Sequence, residues 1–159
     1  MLLLYHTEQY FPMQKIPNKQ YFDYVAERIA AGDNVRIRLK GNSMYPLLRN
    51  NKEMVVLSPC NVNELKPMDV VLFRYRGDYV LHRIISRNGE QLLMQGDGIY
   101  ASFEQCCLAD VVGIVTKVIR PSGAEISTHS RRWRAISRLW RAFEPLRRFL
   151  INNMWRYYW

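Results

Sequence analysis

Ser43, His82 and Asp97 are the residues of this sequence whose types and settings could together carry covalent chemistry. Ser43 stands in Gly41-Asn42-Ser43-Met44-Tyr45-Pro46, directly after an alternating run at 35–40. A strand must end there and the backbone must turn, so a hydroxyl and nearby N–H groups can face one groove. His82, one of 3 histidines, lies inside the alternating run YVLHRII at 79–85, and Asp97 lies in Gln95-Gly96-Asp97-Gly98. Each also has an ordinary reading: a serine capping a turn, a half-buried histidine satisfied by a neighbour, a turn aspartate. Together they would supply a nucleophile, a general base and an acid that orients the base.

Those residues need a scaffold, and the sequence patterns one. NKQYFDYVAERIAA at 18–31 has a helical period through Tyr21, Tyr24 or Val25, Arg28 and Ile29, with Asn18 as a candidate N-cap and Gly32 as a candidate C-cap. Six runs then read as strands: 35–40, 54–57, 69–75, 79–85, 91–95 and 110–119. Arg76-Gly77-Asp78 closes one hairpin, and Asn88-Gly89 lies between two alternating runs as the centre of another. With that centre, His82 faces Gln95 across the hairpin, and Asp97 comes near His82 on the same surface. Neither βαβ alternation nor a glycine-rich phosphate loop is present, which disfavours nucleotide-binding folds.

GNSMYP, DVVLFRYRGDYVLHRII and QGDG, in this order, resemble the boxes of the serine peptidase fold shared by type I signal peptidases and LexA-like self-cleaving repressors. Those boxes are a Ser-Met-x-Pro nucleophile, a Gly-Asp-Val-Val strand, a Lys-Arg or His-Arg base and a Gly-Asp pair. The resemblance covers residues 35–119. It implies Ser43 as nucleophile, His82 as base and Asp97 as support for the base. The developing oxyanion would rest on backbone N–H groups at Asn42, Ser43 and Met44. Met68 departs from the family glycine, and Gly41 stands where many signal peptidases carry an oxyanion-stabilising serine. The implied architecture is mainly β: one signal peptidase/LexA-like antiparallel domain over 1–125 with an N-terminal helix, then a helical tail over 126–159. The implied activity is endopeptidase cleavage of a peptide or precursor bound in extended form, and a histidine base predicts a rate that falls on acidification. A self-cleaving regulator and a non-catalytic peptide-binding module are the rival readings.

Composition sets the remaining bounds. The chain has 159 residues, 48% hydrophobic and 23% charged, as one ordinary globular domain would. No run is apolar enough to span a bilayer, and the opening MLLLYHTEQYFPMQ is too polar for a signal-peptide core. Three cysteines, Cys60, Cys106 and Cys107, have no metal-ligand spacing and read as reduced thiols of a cytoplasmic protein, so neither metal nor cofactor is called for. The net charge of +9 is concentrated: residues 131–159 hold eight arginines against one acid, Glu144, and all 4 tryptophans. In RRWRAISRLWRAF the period puts Trp133, Ile136, Trp140 and Phe143 on one helical face and Arg134, Arg138 and Arg141 on the opposite one, with a break at Pro145. Two readings of that tail stand side by side: an interfacial helix on anionic membrane, and a helix burying its aromatic face on its own β core or on a second subunit. Nucleic acid is disfavoured, because no recognised binding signature accompanies the charge.

Overall fold

The computed structural model describes residues 18–158, with side chains through residue 153, so the polar opening segment lies outside the described residues. The chain forms a mixed α/β domain: an N-terminal helix α1 (Asn18–Ala30), a large open antiparallel sheet, and two C-terminal helices, α2 (Arg131–Ala142) and α3 (Glu144–Tyr158). The strands are β1 (Val35–Arg38), β2 (Met54–Ser58), β3 (Val70–Tyr75), β4 (Asp78–Asn88), β5 (Gln91–Gln95), β6 (Glu104–Cys107), β7 (Val111–Ile119) and β8 (Glu125–Ser127). Their order is β1-β2-β7-β3-β4-β5-β6, with β8 added along β7. Six of the eight coincide with the alternating runs. β6 and β8 are additional, three or four residues each and without a legible alternation. A division at 125/126 therefore cuts through β8, which belongs to the sheet.

Alternation along the strands makes two apolar cores, one on each sheet face. Val70 and Leu72 point with Val55, Leu57 and Val118 toward α1 and α2, and Tyr21, Val25, Ile29 and Trp133 close that layer. Val71 and Phe73 point the other way, with Ile84, Leu92, Met94, Cys106 and Leu108. α1 ends as its sequence requires: Gly32 takes a φ of 97°, and its N–H donates to the Ile29 carbonyl. Arg76 and Gly77, with φ of 52° and 85°, form the two-residue β3–β4 turn that suits strand twist.

The β4–β5 hairpin departs from the expected register, and this departure controls the site. The two residues between the strands are Gly89 and Glu90, one position beyond the expected Asn88-Gly89 centre. That shift displaces the pairing by two residues and leaves every side chain on its expected face. A bulge between Ile84 and Ser86 then displaces it by one, which exchanges the faces. Gln95 consequently lies opposite Arg83 and not opposite His82.

The tail departs too. α2 begins at the cap Ser130, whose hydroxyl accepts from the Trp133 N–H, and it ends at Phe143. Pro145 sits in the first turn of α3, where its missing N–H costs no helical bond, so the break falls two residues earlier than expected. Trp133 is buried and Trp140 half-buried, whereas Ile136 and Phe143, expected on the same face, are exposed. Among the described residues no helix is long and apolar enough to cross a membrane.

Candidate functional site

Ser43 is carried on a turn anchored at both ends. Met44, Leu47 and Leu48 insert into the α1-side core, and Gly41 takes a φ of 96° while its N–H donates to Asn50 Oδ1 at 2.9 Å. The Tyr45 N–H donates to the Asn42 carbonyl at 3.0 Å, and Tyr45-Pro46 is cis. Behind the turn, buried Glu53 accepts from the Arg49 N–H at 2.6 Å, from Arg49 Nη2 at 2.7 Å and from Arg120 Nη1 at 3.0 Å. Burial opposes ionisation of Glu53, and the bonds from Arg49 and Arg120 outweigh it, holding the carboxyl below its usual range.

The Gly96-Asp97-Gly98 segment presses backbone to backbone against this turn. The Gly98 N–H donates to the Ser43 carbonyl at 2.8 Å. A Cβ on Gly96 would lie 2.2 Å from that carbonyl oxygen and 3.0 Å from His82 Nε2; one on Gly98 would lie 2.4 Å from the Asn42 carbonyl oxygen. Both glycines are therefore required by close approach. The same geometry places the imidazole Nε2 and the Ser43 backbone around one point above Gly96. Among the described residues, none accepts a hydrogen bond from the N–H of Asn42, Ser43 or Met44, and none bonds the Ser43 hydroxyl.

The acid beside the imidazole is Glu104. His82 Nδ1 lies 2.8 Å from Glu104 Oε2, with the two side chains 5% and 15% exposed. A carboxylate only accepts, so Nδ1 carries a proton and Nε2 is the ring nitrogen on the side of the Ser43 turn. Asp97, expected in this role, instead accepts from Arg83 Nε at 2.8 Å and Nη2 at 2.7 Å, with both side chains fully buried. Strand alternation accounts for the exchange. His82 shares a face with its partner Val71 and with Ile84, Met94 and the Met94 partner Glu104. Arg83 and Gln95 point to the other face, and Asp97, two residues beyond Gln95, follows them. Glu104 carried no sequence signal, because it stands at the start of a four-residue strand inside FEQCC, away from every motif.

The Arg83 face is roofed by the C-terminal helices. Trp140 Nε1 donates to the Asp97 carbonyl at 2.9 Å. Arg141 Nη2 and Arg147 Nη2 converge on Gln95 Oε1 at 2.7 and 3.1 Å, and Arg147 also reaches the Ile99 carbonyl at 2.8 Å. Burial, and then the neighbouring Arg147, pushes the Arg141 guanidinium down to about 10. The tail thus clamps the strand end from which the Gly-Asp-Gly segment leaves, a role of Trp140, Arg141 and Arg147 that periodicity alone does not indicate.

No protein-family model matches the chain, and no curated protein matches it significantly. The reading of this site therefore rests on its own geometry.

Proposed function

We propose that the chain is a serine endopeptidase of the signal peptidase/LexA-like type, acting on a peptide or precursor bound in extended form, with Ser43 as nucleophile and His82 as base. One observation carries the reading: a histidine whose Nδ1 is held by Glu104 directs its Nε2 to the point where the Ser43 backbone meets Gly96. The order of GNSMYP in the turn after β1, DVV at the start of β3, HRI on β4 and QGDG at the end of β5 supports the finer fold assignment.

In the proposed reaction His82 Nε2 takes the Ser43 hydroxyl proton as Oγ bonds to the scissile carbonyl carbon, and the imidazolium returns that proton to the leaving amine. The acyl ester on Ser43 is then released by water, with His82 again as base. Glu104 keeps the proton on Nδ1 and stabilises the imidazolium, the part expected of Asp97. The unengaged N–H groups of Asn42, Ser43 and Met44 are the candidate donors to the oxyanion, where one such donor is worth about 3 kcal/mol of barrier. The proposed reaction requires the Ser43 hydroxyl to come within hydrogen-bond reach of Nε2 when substrate binds, in the manner of sites that tighten in the bound complex.

The test is a peptide library incubated with wild type and with Ser43→Ala, with cuts read by mass spectrometry. Cuts made by wild type and absent with Ser43→Ala support the reading. Identical cuts by both remove Ser43 from the mechanism, and retention of peptides without cuts by either favours the non-catalytic binding module.

A further inference from the structure

α2 and α3 each have one side committed to the sheet. Trp133, Ser137 and Trp140 recur at i, i+4 and i+7 on the inner side of α2, and Arg147 and Ile151 do the same in α3. The adjacent side is apolar and uncovered. Ile136, Leu139, Phe143, Leu146, Phe149 and Leu150 are between 37% and 63% exposed, and they run in succession across the Phe143 break. Six large apolar side chains gathered on two consecutive helices are more than the scattered exposed hydrophobes of an ordinary surface.

The net positive charge of the two helices identifies the occupant of this stripe. Arg131, Arg132, Arg138 and Arg148 are exposed and Arg134 half-exposed, while Glu144 is the one acid of residues 131–153. A second copy would bring helices of the same net positive charge, so self-association through this face is opposed by like charge. An anionic lipid surface supplies both things the face lacks, an apolar layer for the stripe and negative headgroups for the arginines. Arg132 continues the stripe one turn before Ile136, and its aliphatic stem can lie along the acyl boundary while the guanidinium reaches a headgroup.

We propose that α2 and α3 form a docking surface for anionic membrane, lying in the plane of the interface and inserting Ile136, Leu139, Phe143, Leu146, Phe149 and Leu150. This set replaces the aromatic face expected from periodicity, since Trp133 is spent on the core and Trp140 on the Asp97 carbonyl. The proposal does not depend on the peptidase reading.

The experiment is flotation of the full chain with vesicles of phosphatidylcholine alone and of phosphatidylcholine mixed equally with phosphatidylglycerol. Wild type and Ser43→Ala should float with the mixed vesicles and not with phosphatidylcholine, and salt should weaken the binding. Leu139→Ser with Phe149→Ser, both at exposed positions, should keep the wild-type circular dichroism and bind at least about tenfold more weakly. Arg132→Gln, at the position that continues the stripe, should weaken binding about fivefold. Absence of flotation by wild type overturns the proposal, as does equal flotation by the serine variant. So does a wild-type dimer without vesicle binding that the serine variant dissociates, which would assign the face to a second copy.

Discussion

Asp97→Asn removes the charge from a carboxylate held by Arg83 Nε and Nη2 at 2.8 and 2.7 Å, with neither side chain exposed. Asparagine keeps the shape and one acceptor, but it turns an amide N–H₂ toward a guanidinium that can only donate. Arg83 retains the Met68 carbonyl at 2.8 Å and loses its counter-charge in the interior. Breaking one side of a buried pair costs about 3–5 kcal/mol. For a domain of this size that corresponds to a fall in melting temperature of roughly 6–20 °C. Thermal unfolding followed by circular dichroism, with urea midpoints as a second measure, reads the effect directly. Glu104→Gln is the matched comparison: the amide oxygen can still accept from His82 Nδ1, so the stability loss should be only about 1 kcal/mol. On the proposed mechanism the larger effect of Glu104→Gln falls on peptide cleavage. Arg83→Met combined with Asp97→Leu should recover much of the stability lost by Asp97→Asn, because neither charge is then stranded. The reasoning is refuted if Asp97→Asn melts with the wild type while abolishing cleavage, and Glu104→Gln leaves cleavage intact. Asp97 would then be the partner of the base after all.

Gly96→Ala drives a methyl to 2.2 Å from the Ser43 carbonyl oxygen, backbone against backbone. It should lower stability by about 1–3 kcal/mol in urea unfolding, and a wild-type midpoint would contradict the close approach. Glu53→Gln should destabilise by about 1–2 kcal/mol at neutral pH, a range that allows for the partly exposed arginine partners. Because the folded carboxyl is held below its unfolded value, its contribution is present above the unfolded value and is lost as pH falls through the folded one. Unfolding free energies of wild type and Glu53→Gln should therefore converge on acidification, and a constant gap would count against the Arg49 and Arg120 bonds. Burial, with Asp110 next, pushes the Cys106 thiol up to about 12, while Cys107 is half-exposed. Alkylation of the native protein at neutral pH should modify Cys107 well before Cys106, as read by peptide mass spectrometry, and equal rates would contradict the burial.

Much of this molecule was legible in short windows of sequence. The helical period through Tyr21, Val25 and Ile29, six alternating runs and the Arg76-Gly77 turn correspond to observed elements, because side-chain alternation, helical period and turn chemistry act over a few residues. Ser43 on a turn after the first strand and His82 on a central strand could be named for the same reason. What escaped is set by longer range. β6 and β8 owe their strand character to neighbours already in place, and the short segments have little periodicity of their own. Likewise the inner face of α2 was decided by what the sheet offered to Trp133 and Trp140, and periodicity gave no indication that Ile136 and Phe143 would be left outside.

The division falls most sharply within the site. Local sequence determined that a serine turn, a histidine strand and a Gly-Asp-Gly segment exist, and that the last two lie along one hairpin. Which acid meets the imidazole was a tertiary decision. A single bulge between Ile84 and Ser86 exchanges the faces of the hairpin beyond it, sending Asp97 to Arg83 and leaving His82 on the side where β6 delivers Glu104. In a structure with a two-residue side-chain period, one inserted residue reverses every later assignment, and no local pattern in the strand records it.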